Sequence, residues 1–208
     1  MTLYDLKPRF QELLRPSVRR LAQAGISANQ VALCAAVVSV VLGVVVAVSA
    51  DTPGLFVLIP GWLLLRMALN AIDGMVAREF GQKSTLGAYL NELTDVISDA
   101  ALYLPFAFVA PFSLLWVGLV IFLAALSEFT GALGPMTGVT RQYAGPLDKS
   151  DRAFVFGALG LWIGIGPPLP AWLVWCMPLL ALLLCVTIVN RIRAGILESE
   201  SNQDGVPS

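Results

Sequence analysis

Long apolar runs separated by short polar stretches leave this chain few ways to fold. Six runs, near 31–50, 54–73, 86–109, 113–133, 152–167 and 170–191, approach the roughly 20 residues needed to cross a bilayer. With 57% hydrophobic and only 13% charged residues, and a mean hydropathy of +0.79, the chain has more apolar surface than a soluble domain of 208 residues can use. The expectation is an all-α, polytopic membrane protein of six transmembrane helices plus an N-terminal interfacial amphipathic helix. Apart from Arg66, every Lys and Arg falls before the first run, between the second and third, between the fourth and fifth, or at the end of the sixth. The loops near 51–53, 110–112 and 167–170 carry none. That alternation follows the positive-inside rule and predicts an integral protein of the cytoplasmic (inner) membrane with both termini in the cytosol. Arg66 sits about two turns from the cytosolic end of its span, where it snorkels or pairs with a carboxylate.

Three regions follow: residues 1–24 as the interfacial helix, 25–195 as the six-helix domain, and 196–208 as a polar, disordered tail. The first twenty residues are polar and basic, so no cleavable signal peptide is expected. Over Leu3–Ala22, Leu6, Phe10, Leu13, Leu14, Val18 and Leu21 share one face, with Arg9, Arg15, Arg19 and Arg20 beside it. Cys34, Cys176 and Cys185 lie in spans without metal-type spacing and read as small packing residues. The chain has no His, which excludes an imidazole base, an imidazole metal ligand and a serine–histidine triad, and leaves proton transfer to carboxylates or water. No basic patch with interleaved aromatics suggests nucleic acid, and no internal repeat is visible.

The polar exception is the stretch Asn70–Asp99, NAIDGMVAREFGQKSTLGAYLNELTDVISD. Carboxylates near membrane depth are costly and mark functional sites. Asn70, Asp73 and Ala77 fall on one helix face, and Gly87, Asn91, Asp95 and Asp99 on another. A turn at Gly81-Gln82-Lys83-Ser84 lets the two helices aim oxygen atoms at one point. An oxygen-only donor set suits a hard divalent cation, Mg2+ or Mn2+. Packing alone, with Arg66, Asp73 and Arg78 as mutual partners, explains single residues but not the whole spaced set.

Written out, Asn70-x2-Asp73-Gly74-x2-Ala77-Arg78-x8-Gly87-x3-Asn91-x3-Asp95 closely resembles the signature of the CDP-alcohol phosphotransferase family, integral membrane enzymes of phospholipid synthesis. Gly25-Ile26-Ser27-Ala28-Asn29-Gln30-Val31 is similar to the entry to the first span in that family, and the likeness covers about residues 1–195. The resemblance implies transfer of a phosphatidyl group from CDP-diacylglycerol to a small hydroxyl acceptor with release of CMP, and it allows a homodimer. Such a displacement needs the pyrophosphate charge neutralised, which paired divalent ions do. Asn70, Asp73, Asn91 and Asp95 are then the metal ligands, with Asp99, one turn on, as a further candidate. Asp95 is the catalytic base implied by the resemblance. Gly74, Ala77 and Gly87 let a nucleotide approach the backbone, and Arg78 contacts phosphate. The family has Asp where this chain has Asn70 and Asn91, so two negative charges are missing, to be restored by Asp99, Glu92 or Glu128, or not at all.

A second basic segment, Arg141–Arg152, follows the fourth span. Arg141, Lys149 and Arg152 read as acceptor- or phosphate-binding residues by resemblance, and equally as positive-inside anchors. Ser150 or Asp151 is expected to cap the next helix. Small residues in Gly131–Pro135 and Gly157–Gly160 suit close helix contact, and Trp162, Trp172 and Trp175 suit an interface. Two other classes fit the same residues: a catalytically degenerate homologue that binds CDP-lipid or nucleotide, and a small membrane transporter. The transporter is disfavoured, because the acidic cluster occupies one end of the bundle and no paired broken helices are visible.

Overall fold

Glycine, proline and capping residues divide the described residues into seven α-helices joined by short turns. A computed structural model describes residues 3–166 and 168–204. The helices are α1 (Leu3–Gln23), α2 (Ala28–Val48), α3 (Leu58–Glu79), α4 (Thr85–Tyr103), α5 (Leu114–Ala132), α6 (Lys149–Ile165) and α7 (Cys176–Asp204). Short 3-10 turns, among them Pro53–Val57 and Leu104–Phe108, join or extend them, and no strand occurs among the described residues. Helices keep every backbone polar group satisfied within one segment, which an apolar surrounding requires.

The caps explain the boundaries. Ser27 accepts from the Gln30 amide at 3.2 Å while Gln30 Oε1 accepts from the Ser27 amide at 2.8 Å, a capping box that starts α2. Gly81, with φ at +66°, supplies the left-handed turn that ends α3, and Ser84 Oγ then accepts from the Gly87 amide to open α4. The cap of α6 is Asp148 rather than Ser150 or Asp151. Its Oδ1 accepts from the Ser150 and Asp151 amides, at 2.8 and 3.1 Å, and Asp151 serves as the return arm of the box.

Among the described residues, four segments are long and apolar enough to cross a membrane: Ala28–Val48, Pro53–Glu79, Leu114–Thr137 and Ala171–Asn202. The other two expected spans differ for different reasons. The α4 helix carries Glu92, Asp95 and Asp99 and stops at Tyr103, short of the expected 109, while α6 has only 17 residues. The tail is also ordered further than expected. The α7 helix runs on to Asp204, and its Glu198 accepts from the Thr140 amide at 2.7 Å and from Gln142 Nε2 at 2.7 Å. Residues 205–208 and the side chains of Leu6 and Arg9 lie outside the described residues.

Helix α2 packs on α3 and α4, α5 on α7, and α3 on α6. Close crossing depends on small residues: a side chain at Gly43 would run into the Ala101 carbonyl where α2 meets α4. Inside, Trp62 Nε1 donates to Ser39 Oγ at 2.8 Å, linking α3 to α2. One end of the bundle is closed by aromatics. Tyr103 stacks on Phe156 at 3.8 Å, and Phe106 meets both Phe56 and Phe156 edge-on. At the other end, α1 lays Leu14, Val18 and Leu21 against Ile72, Met75 and Val76 of α3, while Phe10 and Leu13 stay exposed. Cys34 and Cys185 face outward rather than packing inside.

Candidate active site

Next to the α1 end, the last turns of α3 and the first turns of α4 diverge around a cleft of about 610 Å³. Asp73, Gly74, Ala77 and Arg78 line it from α3, Gly87 and Asn91 from α4, and Arg141 from the loop before α6. Those are seven of the residues singled out from the sequence, brought together from three segments. Gln82 fixes the rim, because its Oε1 accepts from the Ala28 amide at 2.9 Å and ties the α3–α4 turn to the start of α2.

Two of the cleft glycines lie close against neighbouring polar side chains. A Cβ on Gly87 would meet Asn29 Oδ1 at 2.9 Å and Ser84 Oγ at 3.1 Å. One on Gly74 would lie 3.2 Å from Arg78 Nη1, so the guanidinium lies across bare backbone. Asn29, Lys83 and Ser84 also line the cleft. Asn29 carries no periodic signal, since its place there depends on α2 packing against α4.

Asp73 is buried, faces this cleft, and makes no ion pair among the described residues. Asp95 is different. Its Oδ1 accepts from Asn70 Nδ2 at 3.0 Å and from Arg66 Nη2 at 3.1 Å, while Oδ2 pairs with the Lys149 ammonium. Arg66 therefore pairs with α4 and not with Asp73. Asn70 and Lys149, with Arg66, Ser150 and Asp99, line a second, smaller opening of about 230 Å³. The polar residues thus divide between two openings, with Asp95 bound to the walls of the smaller one.

Asp99 is not placed as a metal ligand. It is buried, with Oδ1 held by Arg66 Nη1 at 2.5 Å and Oδ2 by Arg152 Nη2 at 3.2 Å, so both oxygens are occupied by guanidinium groups. Arg152 likewise does not lie at a surface. It is 1% exposed and spans Asp99 and Glu128, the latter at 3.0 Å. Glu128 also pairs with Arg141 and Arg191, and Glu92 pairs with Arg141 at the cleft wall. Neither glutamate is free to replace the charges absent at Asn70 and Asn91. Five cations (Arg66, Arg141, Lys149, Arg152, Arg191) and four carboxylates (Glu92, Asp95, Asp99, Glu128) thus form one continuous network behind the cleft. Pairing is what makes such burial tolerable.

The donor chemistry fits a hard divalent ion on the cleft side. Asp73 brings to the cleft a carboxylate with no ion pair among the described residues, and Asn91 lines the same cleft with a neutral oxygen. No group of three or more Asp, Glu, Cys or His converges on one point among the described residues.

Comparison with known proteins supplies the family. Residues 26–186 match the family described as CDP-alcohol phosphatidyltransferase. The chain is 46% identical over 201 residues to inner membrane protein YnbA of Escherichia coli (strain K12), covering 96% of this chain and 98% of that one. Its fold is similar to two crystal structures of Mycobacterium tuberculosis phosphatidylinositol phosphate synthase (PgsA1). The one in complex with manganese and citrate has a TM-score of 0.71, with 86% of this chain and 87% of that chain covered. The one with CDP-DAG bound has a TM-score of 0.68, covering 86% and 92%; identity is 21% in both. With six of the eight motif residues lining one cleft and the match extending over most of the chain, this protein belongs to the CDP-alcohol phosphatidyltransferase family.

Proposed function

We propose that this protein transfers a phosphatidyl group from CDP-diacylglycerol to a small hydroxyl acceptor and releases CMP. The observation that carries the reading is the cleft in which Asp73, Gly74, Ala77, Arg78, Gly87 and Asn91 meet. The small residues let the nucleotide lie against helix backbone, and Arg78, crossing Gly74, meets the pyrophosphate. Asp73 and Asn91 would hold Mg2+ or Mn2+. When bound, that ion neutralises pyrophosphate charge and so favours displacement at phosphorus. The manganese and CDP-DAG complexes of the mycobacterial relative support this choice of ion and donor.

The acceptor enters by the smaller opening, where Asn70, Ser150 and Lys149 provide polar contacts. Its hydroxyl oxygen forms the new bond to the phosphorus carried by the lipid. The bond from that phosphorus to CMP breaks, and Asp95 takes the hydroxyl proton. Lys149 and Arg66 orient the Asp95 carboxylate for that transfer.

The same reading places the chain in the inner membrane with six spans and both termini cytosolic. Helices α4 and α6 cross despite charge or shortness because their charged groups are neutralised against Arg66, Arg152 and Glu128 inside the bundle. Phe10 and Leu13 of α1, exposed beside Arg15, Arg19 and Arg20, then rest in the lipid interface.

The test is CMP release by purified protein in detergent with CDP-diacylglycerol, Mn2+ or Mg2+ and pooled cytosolic metabolites. Metal-dependent CMP formation, lost in Asp73→Ala/Asp95→Ala, is expected, and the lipid product names the acceptor. Asn70, Asn91 and the cations on Asp95 favour one second reading, a homologue that binds CDP-lipid without turnover. Retained CDP-lipid binding with no CMP release would establish that reading, and absence of both would overturn the transferase proposal.

A further inference from the structure

We infer that this site holds one divalent cation rather than a pair, and that Lys149 supplies the second positive centre by binding Asp95. The inference rests on the transferase reading for the presence of a divalent ion and adds how many the chain can accept. Two carboxylates of the motif are replaced by the neutral Asn70 and Asn91, which removes as much negative charge as one divalent cation would balance. The remaining two carboxylates are not equivalent. Asp73 opens on the large cleft with no ion pair among the described residues. Asp95 is partnered on both oxygens: Arg66 and Asn70 donate to Oδ1 at 3.1 and 3.0 Å, and Lys149 binds Oδ2.

Asn70 matters most here. As the amide it donates to Asp95, which an aspartate at the same place could not do at neutral pH. An aspartate there would set two like charges together and call for a cation between them. The Asn70 amide and the Lys149 ammonium together do that work without metal. Among the described residues, the nearby carboxylates Asp99, Glu128 and Glu92 all pair with arginines and so do not complete a second ion's shell. A hard divalent ion needs several oxygen donors, and of the two carboxylates lining the cleft, Asp73 and Glu92, Glu92 is paired with Arg141 while Asp73 has no ion pair among the described residues. Lys149 is therefore a positioning residue: it neutralises and orients Asp95 while Asp73 carries the ion.

The experiment is an Mn2+ titration of the purified full-length protein in detergent, read by electron paramagnetic resonance of the free ion. One Mn2+ per chain is expected. Asp73→Asn should weaken binding at least about tenfold, and Asp95→Asn should change it less than about threefold. Asn70→Asp/Asn91→Asp/Lys149→Met should take up two ions. Two ions in the native chain, none at all, or equal losses in Asp73→Asn and Asp95→Asn would each overturn the inference. If a variant fails to fold, as judged by gel filtration in detergent, the native stoichiometry decides alone. CMP release from the same preparations separates the two proposals. Turnover with two ions or none defeats this inference but not the transferase reading, whereas one ion without turnover defeats the transferase reading alone.

Discussion

Replacing Arg152 with Met decides whether this residue holds the bundle together or meets substrate. The side chain is 1% exposed, and its Nη2 reaches Asp99 at 3.2 Å and Glu128 at 3.0 Å. Each charge-assisted bond of this kind is worth about 1.5–3 kcal/mol. Removing one member of a buried pair costs roughly 3–5 kcal/mol when the partner is left alone. Neither partner is left alone here, because Asp99 keeps Arg66 and Glu128 keeps Arg141 and Arg191. Methionine also keeps much of the aliphatic volume. Those considerations place the loss at about 3 kcal/mol, toward the lower end. For a chain of this size that lowers the midpoint of thermal unfolding by roughly 6–12 °C. The assay is a melt in detergent followed by tryptophan fluorescence, with CDP-lipid affinity measured on the same protein. Adding Glu128→Gln should cost less than the sum of the single changes, since the two groups share a contact. An unchanged midpoint together with weakened substrate binding would refute the argument and return Arg152 to a phosphate-binding role.

Gly87→Val should weaken CDP-lipid binding by about tenfold or more, roughly 1.4 kcal/mol, because its Cβ enters the cleft within 2.9 Å of Asn29 Oδ1; a binding isotherm in detergent reads it. Asp148→Ala removes the cap of α6 and should cost about 1 kcal/mol at neutral pH. Burial raises the Asp148 carboxyl, but hydrogen bonds from Ser150 and Asp151 outweigh it and hold the group below the usual carboxylate range. Its contribution is therefore complete above the unfolded value of about 3.9 and fades as pH falls through the lower folded value. Melting curves of native and variant protein should converge in acid. Glu198→Gln should speed hydrogen exchange at the Thr140 amide, which donates to this carboxylate at 2.7 Å, with little change in the transmembrane helices.

The gapped motif was readable because helical spacing is a local property. Asp73, Gly74, Ala77 and Arg78 share the face of one helix whatever the helix packs against, and Gly87 with Asn91 do the same on the next. Their convergence needed only a short turn between two antiparallel helices. The partners of Arg152 and Asp99 are not legible in the sequence for the opposite reason. Both look like available charged groups near the motif, and only the approach of α6 to α4 and α5 turns them into buried partners. The tail was misread similarly: a polar, acidic segment has no core-forming pattern of its own, yet α7 extends through it and Glu198 finds donors in the 140–142 loop.

The all-helical architecture, four long apolar segments and the α3 and α4 motif residues that line the cleft follow from the sequence itself. Apolar run length, glycine placement and caps act within a few residues along the chain. The tertiary structure decided which cation meets which carboxylate, and hence that Asp73 faces the cleft while Asp95 is held by Arg66, Asn70 and Lys149. Ion pairing depends on distances between side chains far apart in sequence, and those distances exist only once the helices have packed.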